Sequence, residues 1–431
     1  MTVSTAVSHN ARPYLHGPEF EAAAQALRDG QYGHAGLTEQ FEAETARYLG
    51  VPDVVAVASG TAALQLSLLA AGVGPDDEVI VPSETFCATI QAIVAVGAVP
   101  RFIDVSPRTL CVDSNGVRDA LTPATRAVMP VLYGGRAVDL ADVRHVLSER
   151  GISVIEDAAH AFGSYAGTVR VGATGDLTCF SFGPIKNLTC IEGGAIVPRT
   201  PEEGEALGRV AKVAPSARRA GPTASGACDR KAEDRSRTGR TWMIPTTRRV
   251  RVPGVVGQAG LSKHALRELR VLGITQPQAR RVRATTYDVA RFGLRATMSA
   301  VHASVGIVQL RQFPDTARRR QELWRTYAAG LRDLGVGLVD VDIDRTVPFN
   351  CVVRVRRRDQ AHAVLTGLGI GVGVHYPPNH LQPAFARWRR ELPVTEQLGA
   401  EIMSLPFHPA MTASDASDVV AMLSRTLEGL R

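Results

Sequence analysis

Residues 156–194 read EDAAHAFGSYAGTVRVGATGDLTCFSFGPIKNLTCIEGG, and their punctuation decides the fold. The apolar run Ile152 to Ile155 stops abruptly at the acidic pair Glu156-Asp157. A buried parallel strand delivers a carboxylate in this way to the rim of a sheet, where ligands of α/β proteins sit. A second apolar run, Leu177 to Phe182, is followed by the turn Gly183-Pro184 and then by Lys186. A lone lysine just after a buried strand reads as an amine held near a ligand rather than as a solvated surface charge. Carboxylate and amine thus stand at the ends of neighbouring elements.

Outward from this stretch, strands and helices alternate. Glu19 to Leu27 and Leu37 to Leu49 are spaced as helices and separated by Gly30, Gly33 and Gly36. Val54 to Ala58 is a short β-branched strand, and Ser59-Gly60-Thr61 opens an apolar helix, Ala62 to Ala71. Such a junction presents free backbone N–H groups and the positive end of a helix dipole, a ready phosphate site. Ser59 and Thr61 read equally as simple N-caps. Glu78 to Val81 is a strand ended by Pro82, Thr85 to Val96 a helix and Val99 to Val105 the next strand. Together they form a βαβ unit expected to be right-handed. Phe86 lies where an aromatic covers a flat ring, although the core is the commoner place for phenylalanine. Arg126 to Leu132 and Val138 to Arg150 continue the alternation, which predicts an α/β fold with a mostly parallel sheet and helices on both faces.

From about 337 the pattern changes to short strands, Val336 to Val341, Cys351 to Val355 and Gly369 to Val374, with a helix at 358–367. The last helix runs from Asp415 to Leu430 with Ser414 as its N-cap. The natural division is a large domain over residues 1–310, including the N-terminal helical segment, and a small C-terminal α+β domain over 311–431.

A lysine able to form a Schiff base and a carboxylate able to partner a pyridinium nitrogen are what pyridoxal phosphate (PLP) requires. At these residues the chain resembles the sugar aminotransferases of the DegT/DnrJ/EryC1/StrS family. That signature runs E-D-A-A-[QH], then F-S-F-x-x-x-K, then G-G, matched by Glu156 to His160, Phe180 to Lys186, and Gly193-Gly194. Downstream, GLRATMSAVHASVGIVQL from Gly293 to Leu310 is similar to the family's G-x-[NR]-x-x-M-S segment and its A-x-x-G-x-x-Q-L continuation. The resemblance implies the PLP-transferase fold type I, like aspartate aminotransferase. It makes Lys186 and Asp157 catalytic, with PLP on the lysine and the protonated ring nitrogen on the aspartate. It sets Phe86 over the ring and His160 near the ring's phenolic oxygen. Ser59, Gly60, Thr61 and Ser181 would hold the phosphate with Arg295 of a neighbouring subunit, in a homodimer with shared active sites. Locally, Arg295 also reads as a surface arginine at a helix start, and Thr297 replaces the usual Arg or His. The segment His375-Tyr376-Pro377 would border the substrate pocket, although His375 reads as well as a hydrogen-bonded structural histidine.

The implied reaction moves an amino group from glutamate or glutamine to a keto-sugar nucleotide or keto-cyclitol, in amino-sugar or antibiotic biosynthesis. Relatives that catalyse PMP-dependent sugar dehydration replace the lysine with histidine, so Lys186 argues against that class. A non-catalytic PLP-binding or regulatory protein is the other alternative, made thinkable by Thr297 and by the insert at 209–263. A Rossmann dehydrogenase fits poorly, since no G-x-G-x-x-G follows the first strand.

The net charge of +7 over 431 residues is local. Residues 209–263 hold 13 Lys and Arg against 3 Asp and Glu, so this segment carries +10 and leaves −3 for the remainder. It interrupts the family pattern before the expected helix Leu266 to Ile274. Rich in Arg, Gly, Ala, Ser and Thr, it buries little apolar surface and reads as a loose surface loop. An acidic partner is the functional alternative. Only Trp242 lies among its arginines, which speaks against nucleic acid. Six cysteines without CxxC spacing indicate neither a metal site nor a disulfide framework. No signal-peptide pattern opens the chain and no apolar run is long enough to span a bilayer, so a cytoplasmic enzyme is expected.

Overall fold

Alternation along the strands sets the architecture. In the computed structural model, which describes residues 5–34, 36–199 and 294–430, strands β1 (Val55–Val57), β2 (Glu78–Pro82), β3 (Val99–Ile103), β4 (Thr125–Val128), β5 (Ser153–Asp157), β8 (Leu177–Ser181) and β9 (Gly194–Val197) form one sheet. Its order is β1-β9-β8-β5-β4-β2-β3. Pairs β8-β5, β5-β4, β4-β2 and β2-β3 are parallel, and β9 alone runs against both of its neighbours. A short hairpin, β6 (Tyr165–Ala166) and β7 (Val169–Arg170), stands apart.

Both faces are buried, so successive strand residues enter different cores. Val55, Val57, Val79, Val81, Ile155 and Leu177 pack with α3 (Gly60–Ala70) and α4 (Cys87–Ala95). Ile80, Val128 and Val154 point the other way, toward α5 (Ser114–Ala120) and α6 (Ala141–Glu149). Ala56, Phe180 and Val197 meet α2 (Gly36–Leu49) and the start of α7 (Ala300–Leu331) on that same side. This parity fixes the end of β5. Asp157 shares its face with Ile155, toward α3 and α4, and Glu156 takes the opposite one. There Glu156 is held by the Thr178 hydroxyl at 2.6 Å and the Thr174 hydroxyl at 3.1 Å.

The C-terminal part is an antiparallel sheet of β10 (Gly337–Leu338), β11 (Cys351–Arg354) and β12 (Ile402–Leu405). It packs with α8 (Arg358–Gly367) and α10 (Ala413–Gly429), while α9 (Pro393–Glu401) leads into β12. Helix α7 joins the two parts. Its residues Ala303, Ile307 and Phe313 lie in the core beneath β8 and β9, and Leu323, Trp324 and Tyr327 lie in the C-terminal core. Helix α1 (Pro18–Arg28) packs on α7 as well.

Local expectations needed correction in three places. Gly369 to Val374 is no strand. It makes one bridge, Gly373 to Ser404, because the Gly371 N–H is given to Val7 of the N-terminal segment. The last helix starts earlier than Asp415: Thr412 is its N-cap, and Asp415 reciprocates from the third position as a capping box. The charged, amphipathic spacing of Gln309 to Leu331 predicts a helix over those residues, but it begins at Ala300, where the Ser299 hydroxyl caps it. The arginine-rich segment at 209–263 and the helix expected over Leu266 to Ile274 lie outside the described residues. Among the described residues, no helix is long and apolar enough to cross a membrane.

Candidate active site

The parallel strands end on one rim, and a cavity of roughly 170 Å³ opens there. Asp157 reaches it from β5, Ser181 from the end of β8, and Ser59 to Thr61 from the start of α3. Asp157 is 5% exposed. Its Oδ2 accepts from the Thr89 hydroxyl at 2.7 Å and its Oδ1 from the Ala159 N–H at 3.2 Å. Thr89 has one hydroxyl proton and gives it to a carboxylate that only accepts, so the 2.8 Å contact between Thr85 and Thr89 must run from Thr85 to Thr89. Burial pushes the Asp157 carboxyl up, and the Thr89 hydroxyl, the Ala159 N–H and the Lys186 charge oppose that rise.

Lys186 is half-buried in the loop after β8, with Nζ 4.9 Å from the ring centre of Phe349. Burial lowers its amine to about 8, against the pull of Asp157. The loop is pinned one residue later, where the Asn187 amide donates to the carbonyls of His160 at 3.1 Å and Val347 at 3.0 Å. An amine with this pKa is deprotonated often enough near neutral pH to attack a carbonyl.

The opposite end of the cavity is a backbone cradle. The Ser59 hydroxyl accepts from Ala62 N–H at 3.1 Å, so the capping role is real. The first-turn N–H groups beside it have no intrahelical acceptor, which suits an anion. Approach here is close enough to require glycine. A Cβ on Gly60 would stand 2.7 Å from Ser181 Cβ, and one on Gly194 would stand 2.6 Å from the Ser59 carbonyl.

His160 forms a wall. Its ring stacks on Phe349 at 3.9 Å and 9°, Nδ1 accepts from Gly134 N–H at 3.3 Å, and Nε2 meets the Tyr376 hydroxyl at 3.1 Å. An accepting Nδ1 leaves the proton of a neutral ring on Nε2. Burial, reinforced by the Lys186 charge, holds the imidazole well below its ordinary pKa.

The cavity therefore brings together Ser59, Gly60, Thr61, Phe86, Asp157, His160, Ser181 and Lys186. Phe86 is 53% exposed and leans on Tyr376 at 5.6 Å. Arg295 is exposed and stands outside this cavity, beside β1, on a segment that bridges Val57 to Thr297. His375 does not line it either: its Nδ1 meets Ser404 Oγ at 2.9 Å, and burial lowers its imidazole to about 4. Tyr376 touches the site through His160 and Phe86. Sequence reading missed Thr85, Thr89, Tyr133 and Phe349. Only the Thr85/Thr89 pair left a signal, two hydroxyls four apart within the helix expected over Thr85 to Val96, which starts beside the rim.

The cavity's chemistry agrees with what the chain is similar to. It matches the DegT/DnrJ/EryC1/StrS aminotransferase family over residues 13–219 and 255–424. Aminotransferase TlmJ from Streptoalloteichus hindustanus is similar at 29% identity and a TM-score of 0.77, covering 98% of this chain and 99% of its own. DesV from S. venezuelae, solved with a ketimine intermediate, is 29% identical with a TM-score of 0.75, covering 96% and 98%. The sugar aminotransferase CalS13 from Micromonospora echinospora is 25% identical with a TM-score of 0.77, covering 96% and 99%. The chain belongs to the DegT/DnrJ/EryC1/StrS family and is a PLP-dependent aminotransferase of small molecules.

Proposed function

We propose that the chain transfers an amino group from glutamate or glutamine to a keto-sugar nucleotide or a keto-cyclitol, in the making of an amino sugar or an antibiotic. One observation carries this reading: a lysine amine lowered to about 8, a buried carboxylate and an anion-receptive helix start share one cavity. The residues fit PLP by their chemistry. The Gly60 and Gly194 cradle leaves backbone room that a Cβ would fill.

In this reading Lys186 holds the cofactor and Asp157 keeps the proton on its ring nitrogen. When bound, PLP supplies an electron-withdrawing ring that stabilises charge at the carbon bearing the amino group. The Thr89 hydroxyl, itself accepting from Thr85, favours the ionised form of Asp157 at its Oδ2. With its amine free, Lys186 Nζ would take the proton from the donor's Cα as a base. In the second half-reaction it would give a proton to the ketone-derived carbon as an acid, and a pKa near 8 suits both tasks. The N–H groups of Gly60 and Thr61, with the Ser59 and Ser181 hydroxyls, hold the phosphate. Arg295, exposed and outside its own cavity, supports a homodimer in which it serves the second copy's phosphate. Residues 1–310 would form the cofactor domain and 311–431 the small domain, in a cytoplasmic enzyme.

The test is product analysis by mass spectrometry with a thymidine-diphosphate keto-deoxyhexose and, separately, keto-inositol, each with glutamate or glutamine. Replacement of the ketone oxygen by an amino group, with one donor consumed per product, supports transfer. Loss of water from the sugar without donor consumption would instead make it a dehydratase.

A further inference from the structure

Glu84 and Tyr133 close on the two polar ends of a single peptide unit. Glu84, in the turn after β2, accepts the Tyr376 N–H through Oε1 at 2.7 Å. Tyr133, in the turn after β4, donates its hydroxyl to the His375 carbonyl. Both residues are wholly buried. The neighbours of Glu84 already dock the following residues: the Asn379 side chain bonds the carbonyls of Ser83 at 3.0 Å and Thr85 at 2.6 Å, and Ser83 Oγ meets His380 Nδ1 at 2.7 Å. What Glu84 adds falls on Tyr376. That ring lies between Phe86 at 5.6 Å and His160 at 6.0 Å, and its hydroxyl reaches His160 Nε2. A buried carboxyl is a costly group for accepting one amide proton. Its Oε2, moreover, has no hydrogen-bond partner among the described residues.

We infer that Glu84 is a positioning residue for the His160 wall of the cavity, setting the Tyr376 phenol through its N–H and the His160 imidazole through that phenol. This rests on the aminotransferase reading above. Burial pushes the Glu84 carboxyl up to about 8, and Arg358 of α8 is the cation that opposes the rise. The other titratable groups facing it are the phenols of Tyr133 and Tyr376, with Cys87 of α4 beyond Tyr376, and burial holds both phenols above their usual range. Below pH 8 Glu84 is therefore a neutral acid. Above it an unpartnered oxygen carries charge in the seam, and Tyr376 shifts to let water reach it.

The experiment compares wild type, Glu84→Gln, Glu84→Leu and Tyr133→Phe as PLP-loaded enzymes. Donor half-reactions are followed by loss of the cofactor's visible band with glutamate, and KM is measured for the thymidine-diphosphate keto-deoxyhexose or keto-inositol. A lost hydrogen bond predicts a ketone KM raised about tenfold in Glu84→Leu and several-fold in Tyr133→Phe. Glu84→Gln should keep the neutral-pH KM and abolish the rise in KM above pH 8. A second readout needs no ketone. In a Lys186→Ala background, which removes the neighbouring amine, the His160 imidazole resonances should titrate near pH 8 and cease to do so with Glu84→Gln. An unmoved His160, an alkaline rise that survives Glu84→Gln, or a ketone KM unchanged in Glu84→Leu would overturn the inference. Failure of the wild-type donor reaction would refute the aminotransferase reading itself.

Discussion

Thr89→Val removes a hydroxyl of nearly the same shape from beside the cofactor carboxylate. The structure gives that hydroxyl two bonds, one donated to Asp157 Oδ2 at 2.7 Å and one accepted from Thr85 at 2.8 Å. A bond to a charged group contributes about 1.5–3 kcal/mol and a neutral one about 0.5–1.5, so folding stability should fall by roughly 2–4 kcal/mol. Thr85→Val loses the neutral bond alone and should cost about 1 kcal/mol. The larger share acts on the ionised form of Asp157, so its loss raises that carboxyl's pKa further. A carboxyl that protonates sooner holds the pyridinium less well, so PLP affinity should fall about tenfold to a hundredfold, most at the acid end of the range. Titrating apo protein with PLP by visible absorbance, from about pH 6 to about pH 9, measures this directly, with chemical denaturation reporting stability. PLP binding by Thr89→Val that matches wild type at every pH would refute the reasoning. So would equal weakening by Thr85→Val, because the two bonds would then not differ in kind.

The phosphate cradle and the far side of β5 give two further tests. In Gly194→Ala the new Cβ would stand 2.6 Å from the Ser59 carbonyl and 2.8 Å from Gly60 N, backbone atoms that must move. PLP affinity should drop at least about tenfold while affinity for phosphate-free pyridoxal changes little, and equal losses for both would contradict the assignment. Burial raises the Glu156 carboxyl to about 7, from an ordinary value near 4.5. Its contribution to stability is therefore full below about pH 4.5 and lost as pH rises through about 7, a loss of at most about 3 kcal/mol. Glu156→Gln keeps an acceptor for Thr178 and Thr174, so its stability should decline less than wild type between these two pH values. Parallel decline would show that Glu156 ionises freely.

Strand ends were the legible part of this site. Asp157 and Lys186 each follow an apolar run that reads as a buried strand, and the parity of β5 then decides which carboxyl faces the cavity, whereas Ser181 came from the family resemblance. The Ser59 junction was readable for the same reason, although its cap and its anion site cannot be told apart in sequence because one geometry serves both. The partners that tune these groups were not legible. Thr85 and Thr89 look like any hydroxyls on a helix until α4 is laid across β5. Phe349 and Tyr133 reach His160 from remote segments through loops that no periodicity marks. Glu84 carried no signal in the sequence, because its bonded partner, the Tyr376 N–H, lies almost three hundred residues on in the C-terminal segment. Local ambiguity moved the last helix's cap from Ser414 to Thr412, since three hydroxyl or acidic residues compete there and only the reciprocal bond from Asp415 decides.

The most direct measurement is the absorption spectrum of purified protein with PLP, before and after glutamate or glutamine, beside Lys186→Ala. The account predicts a visible band from PLP joined to Lys186, bleached by one of the two donors and missing from the variant. A protein that takes up no PLP, or a Lys186→Ala variant with the same band and the same bleaching, would contradict it.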